Sequence, residues 1–244
     1  MLSIFKKEIV AFFSSLIGYL VVGVFWLLCA WFLWLAPTEY NILSAGQANV
    51  DGLFLIAPWV LLFLAPAVTM RSFAEERKTG TIEVLLTRPI TDMQLILGKF
   101  LATLALVFIA LLPTLLYFYT VYALGKPIGN IDTGAFWGAY LGLILLAGCY
   151  LSVGIFASSL TDNQIVAFII AALTAFVLYL GFDGLAALPW LKQSNYWIGN
   201  LGINAHYKSI SRGLIDLADI AYFVGVSCIF LFATRFKLQS RYTN

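Results

Sequence analysis

The polar side chains that could bind another molecule are concentrated in one segment, residues 71–99. Its first part reads Glu75-Glu76-Arg77-Lys78-Thr79-Gly80-Thr81-Ile82-Glu83-Val84-Leu85-Leu86. Acids and bases at this density orient a protein partner through complementary charge, whereas they offer no nucleophile. The chain has one histidine, and its three cysteines lie far apart inside apolar runs, so no catalytic or metal-ligating set is predicted. We therefore predict docking at this segment, with no catalytic residue in the chain.

The segment has its own start and stop signals for helices. Residues 71–78 form a predicted short charged helix, which Gly80 can end because glycine tolerates the left-handed conformation after a helix. Thr81 can begin a second helix, with Glu83 in its first turn, where the helix dipole favours an acid.

The second predicted helix has one apolar face, formed by Ile82, Leu85 and Leu86 at positions i, i+3 and i+4. Pro89 ends it, and residues 91–94 have the spacing of a capping box that starts the next helix. An ordinary charged connector is the alternative. Such a connector does not need two helix starts within so few residues, so the pattern favours an ordered docking helix.

The elements that must position this segment are membrane helices. Of the 244 residues, 62% are hydrophobic and 11% are charged, whereas soluble domains average roughly 25% charged residues. Spanning a bilayer takes about 17–25 apolar residues. Six segments qualify: residues 16–36, 52–70, 100–124, 135–160, 165–182 and 217–234. The predicted fold class is all-α, a polytopic membrane protein with six transmembrane helices in a single transmembrane domain over residues 1–244.

The first fifteen residues form a separate predicted element. Their apolar side chains fall on one helical face, which comprises Phe5, Ile9, Phe12, Phe13 and Leu16. This pattern is typical of an N-terminal helix that lies in the membrane interface. The alternative is a frayed start of the first span.

Residues 183–216 are too apolar for a solvated loop and too interrupted by proline and glycine for a full span. We predict a re-entrant helical segment before the last span, buried against the bundle because its backbone needs partners there. A plain loop is the alternative. His206, within this segment, is predicted to be an interfacial polar residue.

The basic residues predict the orientation, because cytoplasmic segments are enriched in lysine and arginine. With the N-terminus inside, ten of the fourteen fall on the inner side and four on the outer side. Both termini and residues 71–99 are therefore predicted to be cytoplasmic. The basic residues form no dense patch, so no nucleic-acid partner is expected, and the lipid bilayer surrounds the chain.

The spans carry no Asp, Glu, Lys, Arg or His in their central stretches. Transporters driven by ion gradients hold such groups near the membrane midplane. The sequence also lacks the glycine-rich phosphate loop of nucleotide-hydrolysing proteins. The chain therefore has no energy source of its own, and another subunit must drive any movement. An intramembrane enzyme is disfavoured by the missing catalytic groups.

The run from Glu75 to Pro89 resembles the loop that follows the second span in type 2 ABC transporter permeases. In that family this loop carries a cytoplasmic coupling helix that seats in a groove of the ATP-hydrolysing subunit. The resemblance extends over nearly the whole chain, from the interfacial helix to the re-entrant segment. Within the family, the chain most resembles the permease subunits associated with gliding motility.

The resemblance implies a non-catalytic permease subunit of export type in the bacterial inner membrane. Its partners would be a separate ABC ATPase subunit, which holds ATP and Mg, and a second permease copy or related membrane subunit. The implied coupling residues are Glu75, Glu76, Arg77, Lys78, Gly80, Thr81, Glu83, Leu85 and Leu86. A non-transporting membrane scaffold or assembly factor that recruits a cytoplasmic partner is the alternative. The substrate, the direction of transport and the choice between transport and mechanical work are left open.

Overall fold

The architecture is a bundle of helices, six of which are long and apolar enough to cross a membrane. A computed structural model describes residues 1–44, 46, 48–81, 91–189, 195–213 and 215–240, and in these residues every regular element is a helix. The predicted all-α polytopic membrane fold is thereby confirmed. The predicted helix at Ile82–Leu86 lies outside the described residues.

The helices follow one another along the chain without long connections. They are α1 (Leu2–Phe13), α2 (Leu16–Ala30, continued by a π-helical turn Trp31–Leu35), α3 (Asp51–Thr69), α4 (Ala74–Lys78), α5 (Asp92–Leu111), α6 (Leu115–Leu124), α7 (Thr133–Leu160), α8 (Gln164–Phe176, continued by a π-helical turn Val177–Gly181), α9 (Phe182–Ala186), α10 (Asn195–Gly199), α11 (Ile203–Ser211) and α12 (Leu217–Gln239). A 3-10 turn, Leu112–Thr114, joins α5 and α6 into one span. The six spans are built on α2, α3, α5 with α6, α7, α8 with α9, and α12.

The two ends of the bundle are formed by different elements. At one end, called the basic end below, an apolar cluster joins α1, α4, the start of α5 and the end of α12 through Ile4, Phe73, Leu95 and Leu238. The opposite end holds α10, α11 and the start of α7, because Ile210 of α11 packs on Gly142 of α7. The chain therefore brings both of its described terminal helices to the basic end.

The central helix is α7, whose residues are buried for most of its length. Its glycines let neighbouring helices approach closely. A side-chain carbon at Gly154 would lie 2.0 Å from Thr69 Oγ1 of α3, and one at Gly142 would lie 2.7 Å from Ile210. These approaches resemble the small-residue contacts by which membrane helices pack.

Two spans are broken, and side chains from other helices bond the carbonyls near the breaks. Pro58 within α3 has no N–H for the carbonyl of Phe54, which accepts a hydrogen bond from the hydroxyl of Tyr207 at 2.7 Å. Next to the 3-10 turn, the carbonyl of Ala110 accepts from Trp26 Nε1 at 2.8 Å. The hydroxyl of Tyr140 donates to the neighbouring Leu111 carbonyl, also at 2.8 Å.

The N-terminal helix is a separate element, so the frayed-start alternative is wrong. Ser15 accepts a hydrogen bond from the Gly18 N–H and caps α2, while Gly18 packs against Phe12. Because the chain turns here, Leu16 belongs to α2 and is 82% exposed. Its predicted place on the apolar face of α1 is therefore wrong. The position of α1 at the membrane surface stays a prediction.

Two of the predicted helix boundaries are confirmed. Thr91 and Gln94 form the expected capping box, so α5 begins at Asp92, eight residues before the predicted span. Gly80 follows α4 with a φ of +71°, the left-handed conformation that ends a helix. The segment before α12 contains short helices, of which α11 packs on α7; its entry into the membrane stays a prediction.

We expect Gly154→Ala to destabilise the bundle, because the added carbon would overlap Thr69 Oγ1 and force α3 away from α7. Overpacking of this kind costs about 1–3 kcal/mol. The matched control is Gly225→Ala in α12, where no atom lies within 4 Å of the added carbon. Thermal unfolding in detergent should show a lower midpoint for Gly154→Ala only. Equal midpoints would contradict the close α3–α7 contact.

Candidate functional site

Helix α4, the first half of the predicted docking segment, is anchored to the end of α7. The hydroxyl of Ser158 accepts hydrogen bonds from the backbone N–H groups of Phe73 and Ala74, at 3.0 and 3.1 Å. The same hydroxyl donates to the carbonyl of Met70 at 3.0 Å. Ser158 thus caps α4 from another helix and also bonds the end of α3. This explains why the helix begins at Ala74 and not at residue 71.

A buried lysine lies beneath α4. The side chain of Lys99 is 1% exposed, and its Nζ lies 2.9 Å from Glu76 Oε1, 2.8 Å from Glu8 Oε1 and 2.6 Å from the carbonyl of Ser72. An ammonium group has three N–H donors, and here each has an acceptor. The ring of Phe73 lies 5.1 Å from the same nitrogen. Lys99 therefore joins α1, α4 and the start of α5 at one point.

A second lysine completes the arrangement. Lys7 Nζ of α1 lies 3.0 Å from the Oε1 atom of Glu76 that Lys99 also binds. Lys7, Glu8, Glu76 and Lys99, called the basic-end network below, balance two positive charges with two negative ones. Breaking a buried ion pair leaves an uncompensated charge, which is strongly destabilising. The network therefore resists separation of α1 from α4.

The predicted site residues divide into two groups by direction. Glu76 is 8% exposed and lies in the basic-end network, and the Arg77 guanidinium donates to the carbonyl of Ser159 at the end of α7. In contrast, Glu75, Lys78, Gly80 and Thr81 are exposed. The inward pair holds α4 on the bundle, and the outward group is accessible to a partner. Glu83, Leu85 and Leu86 lie outside the described residues.

The end of α4 is also held locally. The hydroxyl of Thr79 donates to the carbonyl of Glu75 at 2.9 Å, and it lies 2.9 Å from the hydroxyl of Thr81. These bonds satisfy groups that the last turn of a helix leaves free. A cavity of about 350 Å³ adjoins this turn, lined among others by Arg71, Glu75 and Lys99. The basic end therefore combines a fixed helix with a polar recess.

The sequence analysis did not identify the residues that hold α4. Lys99 was counted only as a charge on the inner side, and Glu8 and Ser158 were not considered. One signal was present: Lys99 follows seven residues after Asp92 within a predicted helix, so a turn of apolar residues precedes it on a helix that ends in the membrane. A charge placed there usually has a protein partner. Nothing in the sequence indicated that Ser158, eighty-five residues away, would cap α4.

We expect Lys99→Met to loosen the basic end, since Glu8 and Glu76 would lose their shared cation. Removing one partner of a buried pair costs about 3–5 kcal/mol. Lys6→Met is the matched control, because Lys6 is exposed on the same face of the chain as the network. Hydrogen exchange of α1 and α4 should accelerate in Lys99→Met, while α7 stays protected. Unchanged exchange in both variants would show that the network does not hold these helices.

The chain was compared with known families and curated proteins. No curated protein matches it. The family described as "ABC-2 family transporter protein" matches residues 2–213, which include five of the six spans, α4 and α11. The match covers well over half of the chain, and the six apolar helices agree with a multi-pass membrane subunit. The chain therefore belongs to the ABC-2 transporter family.

Proposed function

We propose that this chain is the permease subunit of an ABC exporter and that α4 receives movement from a separate ATPase subunit. The observation that supports this most is the double attachment of α4, through Ser158 to α7 and through Glu76 to Lys99. A connector without a mechanical role needs no such attachment. ATP and Mg would bind to the ATPase, and this chain would hold neither.

Docking would use the outward residues of the segment. Glu75 and Lys78 carry exposed charges of opposite sign one turn apart, which can orient a partner with complementary charges. The apolar face predicted at Ile82, Leu85 and Leu86 would supply buried contact area, which gives interfaces most of their affinity. In this proposal, Glu76 and Arg77 transmit movement and do not themselves contact the ATPase.

Transmission would follow the contacts of α4. A force on α4 acts on α7 through Ser158 and Arg77, and on α1 and α5 through the basic-end network. Each of these contacts is a hydrogen bond or ion pair of defined geometry, so α4 and its neighbours would move as one body. A path for substrate would lie between two such bundles, formed with a second permease copy or a related membrane subunit.

A membrane scaffold that recruits a cytoplasmic partner is the second candidate, because an exposed docking helix would serve it equally well. The distinction is whether the partner's ATPase activity depends on this chain. A link to gliding motility and the direction of transport stay predictions, as does the placement of the basic end in the cytoplasm of an inner membrane.

The first test separates docking from transmission. Glu83→Lys reverses a charge, and Leu85→Asp places an unpaired charge on the apolar face, so we expect either change to release the ATPase. A loss of ~3 kcal/mol weakens binding more than a hundredfold. Ser158→Ala should leave the ATPase bound but reduce its stimulation, because α4 would lose the hydroxyl that binds Phe73, Ala74 and Met70. The measurements are ATPase retained on a tagged chain after washing, and its hydrolysis rate.

The control for Ser158→Ala is Ser159→Ala. The Ser159 hydroxyl bonds only within α7, to the carbonyl of Phe156, and the carbonyl that Arg77 binds belongs to the backbone. Ser159→Ala should therefore keep both binding and stimulation. If neither docking change releases the ATPase, residues 82–86 are not the contact. If Ser158→Ala stimulates like the wild type, the attachment of α4 does not transmit movement. Stimulation that never depends on the chain would favour the scaffold.

The second test concerns orientation. Thr79→Cys and Lys126→Cys place thiols at exposed positions of the basic and opposite ends. In intact cells, an impermeant thiol reagent should label Lys126→Cys and spare Thr79→Cys until the membrane is opened. The unsubstituted chain is the blank, as Cys29 and Cys149 are buried. Labelling of Thr79→Cys in intact cells would place the basic end outside.

A further inference from the structure

Helix α11, at the opposite end, is bonded to several membrane helices at once. Asn204 Nδ2 donates to Asp183 Oδ2 of α9 at 2.5 Å, and the hydroxyl of Tyr207 donates to the Phe54 carbonyl of α3 at 2.7 Å. Burial raises the pKa of Tyr207 well above its ordinary value, so its hydroxyl keeps the proton that it donates. Ile210 packs on Gly142 of α7. A change in the attachment of α11 would therefore reach several helices.

The remaining attachment is made by His206 and differs in kind. Its Nδ1 lies 2.6 Å from Asp219 Oδ1 in the first turn of α12, and its Nε2 lies 2.8 Å from the carbonyl of Asn200. The imidazole stacks on the ring of Tyr222, with centroids 3.9 Å apart and planes 20° apart. Both side chains of the pair are largely buried, at 19% exposed for His206 and 9% for Asp219.

The hydrogen bonds of His206 fix the number of protons in the pair. A carbonyl oxygen only accepts, so Nε2 carries a proton. The short Nδ1–Oδ1 contact needs a second proton, held by His206 as an imidazolium or by Asp219 as a carboxylic acid. A neutral imidazole beside an ionised carboxylate has one proton too few. One of the two contacts then faces lone pair against lone pair.

The other titratable groups near His206 come from each neighbouring element. Tyr222 of α12 donates its hydroxyl proton to the carbonyl of Leu201, at 2.6 Å. Asp183 of α9 is bonded to Asn204, and Lys208 of α11 lies 3.7 Å from the same carboxylate. Tyr179 of the π-helical turn and Tyr150 of α7 lie towards Tyr207. These acid and base neighbours already have partners of their own, whereas Asp219 Oδ2 is buried with no hydrogen-bond partner among the described residues.

We propose that His206 and Asp219 form a proton-dependent latch that fastens α11 to α12. The latch is closed while the pair holds both protons and opens when one is lost. Stability of the closed form is therefore present at lower pH and lost as pH rises, over the range of about pH 5 to 8 in which histidine changes charge. In an assembled transporter, the latch would make the opposite end of the bundle responsive to the proton concentration beside it. The proposal does not depend on which partner docks at the basic end.

Hydrogen exchange of α11 tests the latch in the purified full chain in detergent, where both ends meet the same buffer. Protection is measured at several values between about pH 5 and 8, after correction for the intrinsic exchange rate at each pH, with α7 as the internal reference. We expect the protection of α11 to fall by roughly tenfold as pH rises, the effect of losing one hydrogen bond to a charged group. Constant protection in the wild type would overturn the proposal.

Asp219→Asn is the decisive variant, because it keeps the contact without the extra proton. An amide can donate to neutral Nδ1 or accept from protonated Nδ1, so the bond to His206 forms in both charge states. We expect high protection that no longer changes with pH. His206→Gln should also remove the pH dependence, at lower protection. If either variant keeps the wild-type pH profile, another group is responsible and the latch is wrong.

Tyr222→Phe is the matched control. It removes the hydrogen bond to Leu201, which joins the same two parts of the chain, but it keeps the His206–Asp219 pair and an aromatic ring for stacking. We expect lower protection at every pH with the wild-type pH profile. A flat profile in Tyr222→Phe would mean that general loosening removes the dependence, and the assignment to His206 and Asp219 would fail.

Discussion

The whole structure depends on one constraint, namely that a polar group inside a membrane must find its partner within the protein. Helices meet this constraint for most backbone groups, and breaks in them create exceptions. The carbonyls of Phe54 and Ala110 are bonded by Tyr207 and Trp26 from other helices. Each broken span is thus bonded to a neighbour near its break. The sites that weaken single helices also fix how the helices pack.

The same constraint explains the basic-end network. Lys99 lies on α5, which continues into a span, and its ammonium cannot remain there without acceptors. Glu8 and Glu76 supply them from two other helices, and Ser72 adds a backbone carbonyl. The partners must therefore stay where Lys99 is. A single buried cation in this way determines the positions of α1 and α4, although neither is long enough to span the membrane.

The sequence predicted the helices well and the contacts between them poorly. Apolar length predicted six spans, and the capping box at Thr91 and Gln94 was visible because capping is local. The pairing of Glu76 with Lys99 could not be predicted, since any of several basic residues near the membrane edge could have met that carboxylate. Exposure of Glu75 and burial of Glu76, adjacent in sequence, follow from how α4 lies on α7. That orientation depends on packing between distant segments, which periodicity does not report.

The geometry of α7 connects the two ends of the bundle. Its 28 residues form one helix, about 42 Å long at 1.5 Å per residue. Proline or a 3-10 turn interrupts α3 and the α5–α6 span, and π-helical turns continue α2 and α8. α7 carries Ser158 at the basic end and Gly142 at the other, so the same helix contacts both α4 and α11. A continuous helix transmits a shift or tilt along its axis more faithfully than a broken one, because a break absorbs rotation. Movement of α4 would therefore reach α11 through α7, and the fastening of α11 to α12 would determine how much of that movement the opposite end can follow.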